Sequence, residues 1–256
     1  MTLETHLRAV REGGRTALVP YVTGGITESW TDLLAAYEAA GADAIEIGLP
    51  FSDPMLDGVT IQEASDRSLA RGTTVESILS DLAGISVGIP LIAMTYANLA
   101  LRDGFCARLR AAGVVALVVP DVPLDEVSDL ERSAAAAGVE LVLLAAPSTP
   151  PAKLPEIATR SRGFLYAISR MGTTGEAGEL AESATVLADA IRNATDLPVL
   201  VGFGVSTPAH AVHAARHADG VVVASTLMRA LLDGATPSEV GARVAAMRTA
   251  LDTMAP

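Results

Sequence analysis

The chain has 256 residues, half of them apolar but only 4% aromatic, so a sizeable core has to be built from Ala, Val, Leu and Ile. A net charge of −12 with no basic cluster argues against nucleic acid and against an anionic membrane surface as partners. A single phosphorylated small molecule stays compatible with that charge, because backbone N–H groups at a helix N-terminus can hold one phosphate. The single cysteine, Cys106, rules out an intramolecular disulfide and suits a reducing cytoplasm. Its neighbours Phe105 and Leu109 suggest a helix that packs the thiol into the core. The first residues show no basic-then-apolar signal pattern, and no apolar run reaches the length of a membrane span.

In chain order, eight short apolar runs are expected to be strands: residues 17–22, 44–47, 91–95, 116–119, 140–144, 164–168, 199–201 and 220–223. Several are continuous Val/Ile/Leu, as in parallel strands covered on both faces. Amphipathic segments at 27–40, 103–112, 125–137, 180–194 and 208–217 read as helices, and 243–255 as a closing helix with a frayed tail. Gly41, Gly113 and Gly138 each stand between a helical pattern and a strand, where a C-cap glycine is expected. Eight such units predict a single-domain α/β fold over 1–256, a (β/α)₈ TIM barrel with its active site at the C-terminal ends of the strands. An open doubly wound sheet is the alternative. It would want a GxGxxG turn after the first strand, and Tyr21-Val22-Thr23-Gly24-Gly25 is not one.

The stretch Pro50-Phe51-Ser52-Asp53-Pro54-Met55-Leu56-Asp57-Gly58 cannot continue a helix or a central strand, so it reads as a long loop on the active-site face. A second loop, 169–179, is rich in Gly and Thr and is expected to move. In Ala44-Ile45-Glu46-Ile47, alternation sends the isoleucines to the helices and Glu46 into the barrel. Desolvation there should raise its pKa, which suits a group that both gives and takes a proton. A structural glutamate bonded to a neighbouring strand fits the same pattern. Asp57 alone could be an ordinary turn residue. Paired with a dry Glu46, it gives two carboxylates with different pKa values and different roles.

Three turns point to phosphate: Gly172-Thr173-Thr174-Gly175, Gly202-Phe203-Gly204-Val205-Ser206 and Ala224-Ser225-Thr226. Barrels often bind phosphate with the loops after strands seven and eight. Gly204 permits close backbone approach, and Ser225 is expected to cap a helix and offer its hydroxyl. Tyr166 can reach the pocket or belong to the core, while Tyr21 and Tyr96 read as pocket walls. Arg170 is an exposed-loop cation that could attract phosphate or be simply solvated. His210, His213 and His217 share a helix face with no acidic or cysteine ligand, so they read as surface or packing residues and not as a metal site. The only lysine, Lys153, lies among prolines, which argues against Schiff-base aldolase chemistry.

The run Ile45-Glu46-Ile47-Gly48-Leu49-Pro50-Phe51-Ser52-Asp53-Pro54-Met55-Leu56-Asp57-Gly58-Val59-Thr60-Ile61-Gln62 closely resembles the signature of the tryptophan synthase alpha-chain family. The resemblance continues through Met94-Thr95-Tyr96-Ala97-Asn98, Pro120-Asp121-Val122-Pro123, the segment 166–175 and the segment 202–206. It implies a (β/α)₈ barrel that cleaves indole-3-glycerol phosphate to indole and glyceraldehyde 3-phosphate, without metal or organic cofactor. It further implies a beta-chain partner in an alpha2beta2 heterotetramer. Glu46 and Asp57 fall at the family's catalytic positions. Tyr166 falls at its pocket tyrosine, Thr174 at the residue that helps close the site, and Gly175, Gly204 and Ser225 at phosphate-binding positions. Two departures stand out. Thr23-Gly24-Gly25-Ile26 replaces the usual Gly-Asp-Pro ending, and Ala224-Ser225 replaces Gly-Ser. A methyl at Ala224 is expected to crowd the phosphate or to remove a flexible φ. These departures leave open a free-standing lyase that releases indole, or a weakly active barrel that mainly activates a beta chain.

Overall fold

The computed structural model describes residues 2–168, 186–202 and 204–254. Eight parallel strands close into a barrel in sequence order: β1 (Ala17–Thr23), β2 (Ile45–Gly48), β3 (Leu91–Met94), β4 (Val114–Val118), β5 (Glu140–Ala145), β6 (Leu165–Ala167), β7 (Val199–Val201) and β8 (Gly220–Val223). The pairing of β1 with β8, Leu18 opposite Val221, removes both sheet edges and excludes the open doubly wound alternative. All eight expected strands are present, displaced by up to two residues at their ends.

Alternation divides the core in two. Ala17, Val19, Ala44, Ile92, Ala116, Val118, Val142, Phe164, Leu200 and Val222 fill the barrel. Leu18, Ile45, Ile47, Leu91, Leu117 and Leu165 pack outward against the helices. The helix Leu3–Glu12 has no counterpart among the expected segments. It sends Leu3 and Leu7, one turn apart and fully buried, into the inner cluster. Each such leucine contributes about 1.5–3 kcal/mol of burial, so the helix acts as a plug. The C-terminal helix is tied down by charge. Asp43 accepts from the Leu18 amide (2.9 Å) and from Arg248 (3.2 Å), and Arg248 also donates to the Thr16 carbonyl (2.9 Å).

The helices depart from expectation in several places. The segment expected to be helical from 27 becomes an α-helix only at Asp32–Ala39, because Asp32, Leu33 and Leu34 make i→i−3 bonds to Ser29, Trp30 and Thr31. The closing helix starts earlier than 243, at Pro237–Asp252, set by a capping box in which Thr236 and Glu239 bond reciprocally. The interval between β2 and β3 holds two helices, Val59–Ala70 and Val75–Ala83, so its irregular part is 49–58 with the short connections 71–74 and 84–90. Of the expected helix at 180–194, residues 186–192 are helical and 180–185 lie outside the described residues. No described helix is long and apolar enough to cross a membrane.

Candidate active site

Glu46 stands on β2 opposite Tyr21 of β1 and Ile92 of β3, on the same inward parity as Ala44. Only 1% of it is exposed, and its Oε2 has no hydrogen-bond partner among the described residues. A structural glutamate bonded to a neighbouring strand would have its oxygens satisfied. Burial pushes the Glu46 carboxyl up to about 8, and the nearby Asp57 charge adds to the rise. The same burial raises the phenols of Tyr21 and Tyr166, with further contributions from Glu46 and Asp57. All four groups therefore feel one another at the mouth of the barrel.

Two glycines make room for those phenols. A Cβ on Gly48 would collide with the Tyr21 hydroxyl, and one on Gly202 would collide with the Tyr166 ring. Tyr21 leans over Gly48 of β2 and Tyr166 over Gly202, just after β7, so each hydroxyl end reaches the layer above Glu46. Tyr21 is held further by Thr23 Oγ1 at 3.2 Å. Tyr166 packs edge-on against Phe164, with ring centroids 5.5 Å apart.

Asp57 is more than a turn former. Its amide donates to the Pro54 carbonyl (3.0 Å), closing the turn, but its carboxylate is engaged separately. The Tyr96 hydroxyl donates to Asp57 Oδ2 (3.1 Å) and accepts from the Leu56 amide (3.1 Å). Gln62 clasps the loop from below by donating to the Asp57 carbonyl at 2.8 Å. Phe51 stacks on Tyr96 at 5.0 Å. The sequence pattern makes Tyr96 a pocket wall and no more. The structure gives it a second task, holding the loop carboxylate. Burial pushes Asp57 up to about 6, and the Tyr96 hydrogen bond opposes that rise. Tyr21, Gly48, Phe51, Asp57, Thr95 and Tyr96 line one narrow cleft.

On the other side of β1, the turns after β7 and β8 meet. Ser206, Ser225 and Thr226 border an open groove of about 820 Å³ that also touches Thr60, just after the Asp57 loop. Gly204 has φ +48° with open space around its missing Cβ, so conformation and not crowding calls for glycine there. Ser225 does not cap its helix as expected. Ala224 is the N-cap of Ser225–Leu232, and it makes no side-chain cap bond. The amides of Leu227 and Met228 both turn back to the Ala224 carbonyl, while those of Ser225 and Thr226 have no intrahelical acceptor and face outward. Ala224 itself has φ −119°, which any residue adopts, so its methyl costs no backbone freedom here. The other departure, Thr23-Gly24-Gly25-Ile26, is a packed turn. Ser68 donates to the Gly24 carbonyl (2.6 Å), and Gly25 sits at φ +73° against Thr73.

Thr174 and Gly175, with Arg170 and the expected mobile loop 169–179, lie outside the described residues. Lys153 is an outer-surface residue paired with Asp125 (3.0 Å) and Glu156 (3.4 Å), far from a Schiff-base role. Cys106 is buried in the helix Phe105–Ala111, where desolvation raises its thiol pKa, as expected of a core thiol. Of the three histidines that follow β7, His217 pairs with Asp189 (3.1 Å) and His213 lies against the His217 ring. His210 reads in the sequence only as a surface or packing residue, yet it makes a contact that the pattern conceals. Its Nδ1 is 3.0 Å from Ser206 Oγ and 3.2 Å from the Gly204 carbonyl.

Residues 7–255 match the family model of the tryptophan synthase alpha chain. The chain belongs to the tryptophan synthase alpha chain family. The alpha chain of Chloroflexus aurantiacus is 45% identical over 233 residues, 88% of this chain and 87% of its own length. That of Microcystis aeruginosa is 41% identical over 91% of this chain and 90% of its own. A solved tryptophan synthase from Mycobacterium tuberculosis superposes with a TM-score of 0.89 at 34% identity, covering 97% of each chain. The alpha subunit from Legionella pneumophila gives 0.87 at 27% identity, covering 99% of this chain and 100% of its own. The chain is accordingly a lyase of the tryptophan synthase alpha type.

Proposed function

We propose that this chain cleaves indole-3-glycerol phosphate to indole and glyceraldehyde 3-phosphate, with Glu46 as the proton shuttle and Asp57 as the partner of the indole nitrogen. One observation carries the assignment. A buried Glu46 pushed up to about 8 and a tethered Asp57 pushed up to about 6 stand at one barrel mouth, so near neutral pH one is an acid and the other an anion.

The steps follow from those protonation states. Protonated Glu46 gives its proton to C3 of the indole ring, leaving positive charge on the ring nitrogen. The Asp57 carboxylate accepts from the indole N–H and stabilises that charge in a medium of low dielectric. Glu46, now a carboxylate, takes the proton of the hydroxyl on the carbon attached to C3. That oxygen becomes the aldehyde, the C–C bond breaks, and its electron pair returns to the ring as indole. Each cycle leaves Glu46 protonated again. Tyr21, Tyr96 and Tyr166 enclose the ring, and Tyr96 additionally positions Asp57. Gly204, Ala224 and Ser225 offer backbone and hydroxyl groups to the phosphate, supported by the outward amides at the start of the helix Ser225–Leu232. Thr174 and Gly175 complete the assignment on the strength of their place in the signature.

The partner in this reading is a tryptophan synthase beta chain, in an alpha2beta2 heterotetramer. In and just after the loop that carries Asp57, Met55 and Val59 are each 80% exposed and Leu56 about half exposed. Large apolar side chains left in water together mark a surface meant to be covered. The reading places the chain in the cytoplasm, a setting that suits its single buried thiol.

An indole-release assay on purified protein, with and without a beta chain, tests the proposal. Indole should form in both conditions, faster with the partner. No indole in either would refute it.

A further inference from the structure

The imidazole of His210 takes no part in the proton chemistry of the mouth, yet it bonds to the turn that carries Gly204. The helix Pro208–Ala215 begins at Thr207, whose hydroxyl accepts from the His210 amide at 3.2 Å. His210 is therefore fixed in the first turn of that helix, and its ring folds back over the chain that leads into it. Nδ1 then meets two oxygens, the Gly204 carbonyl at 3.2 Å and Ser206 Oγ at 3.0 Å.

The chemistry of those oxygens decides where the proton sits. A carbonyl only accepts, so the contact to Gly204 requires a hydrogen on Nδ1. With that hydrogen shared between the two oxygens, the Ser206 hydroxyl is an acceptor towards the ring and its own O–H remains free to donate elsewhere. Ser206 borders the groove that Ser225 and Thr226 also border. The bend at Gly204, with φ +48°, is otherwise exposed and has open space around it. Among the described residues, this ring contact is the side-chain bond that holds the Gly204 carbonyl.

We propose that His210 is a positioning residue for the phosphate end of the site. Its Nδ1–H fastens the Gly204 carbonyl and the Ser206 hydroxyl, keeps the turn after β7 in its left-handed bend, and leaves the Ser206 hydroxyl proton for a phosphate oxygen. The inference rests on the proposed phosphate reading and adds Ser206 and His210 to it.

The test is steady-state cleavage of indole-3-glycerol phosphate and of its dephosphorylated analogue, indoleglycerol. His210→Ala should raise KM for the phosphorylated substrate about three- to tenfold, the change expected for losing one ordinary hydrogen bond. Its kcat should stay within about twofold and its kcat/KM for indoleglycerol should not move. His210→Asn, which returns an N–H donor near the position of Nδ1, should recover most of the lost affinity. Ser206→Ala should raise KM in the same direction. An unchanged KM in His210→Ala while Gly204→Val raises it would overturn the role of His210 and leave the phosphate reading standing. Equal losses on both substrates, or no recovery in His210→Asn, would also overturn it by showing general loosening of the barrel. If the wild type does not distinguish the two substrates, the phosphate reading itself fails.

Discussion

On the β2–β3 side of the mouth the working groups are side chains wholly or partly withdrawn from water. Glu46 is buried, its Oε2 without a hydrogen-bond partner among the described residues, and Asp57 is held by Tyr96. On the far side of β1, at the ends of β7 and β8, they are backbone groups and hydroxyls left in water. The difference follows the task. Proton transfer needs pKa values moved towards neutrality, and desolvation moves them. A phosphate is already charged and needs donors in the right places, which an exposed helix start and a glycine bend supply at little cost in stability. The dry end is consequently sensitive to single atoms, and the wet end spreads its work over several weak contacts.

Substitutions should separate the two ends by size of effect. Glu46→Gln keeps the shape but removes the shuttle, and kcat should fall by about 10³-fold or more, at the high end for general acid–base groups. Melting should show the fold intact. Asp57→Asn should cost about 10²–10³-fold in kcat, since it removes a charge aimed at the developing indoleninium. A loss below tenfold in either would move the chemistry away from that residue. Tyr96→Phe should cost about tenfold in kcat/KM. It should also shift the acidic limb of the pH profile upward, because the hydrogen bond it deletes lowers Asp57. An unmoved limb would separate Tyr96 from Asp57. At the wet end, Ser225→Ala should change KM by only about two- to fivefold and leave kcat alone.

Stability should record the same contrast. Glu46 is raised in the folded state, so between about 4.5 and about 8 the native chain holds a proton that the unfolded chain has lost. Folding stability should therefore decline with rising pH across that window. Glu46→Gln should flatten the decline, read from urea midpoints at several pH values. An unaltered slope would mean that Glu46 is hydrated.

The dry end is the more legible of the two in the sequence, for a simple reason. A strand alternates with period two, so the order Ala44-Ile45-Glu46-Ile47 is enough to turn Glu46 inward. Proline and glycine mark the loop that carries Asp57. The helices around it are harder to read: Val59–Ala70 buries Ile61 and Ala64 with Ser65 and Ser68, a stripe too small and too polar to stand out. The early start of the last helix does have a signal, Thr236-Pro237-Ser238-Glu239, that outranks apolar periodicity in setting a helix boundary. At the wet end local rules mislead. Serine is a favoured N-cap, yet Ala224 takes that place and leaves Ser225 free. The tether from Tyr96 to Asp57 spans 39 residues, and the fold of His210 over its own turn depends on a left-handed glycine. Neither leaves a periodic trace.

The pH dependence of kcat/KM for indole release by the wild type bears most directly on the two carboxylates. An ionised Asp57 and a protonated Glu46 together predict a bell with limbs near 6 and near 8 and a maximum close to 7. A rate that stays level from well below 6 to well above 8 would contradict the assignment of acid and anion to these two residues.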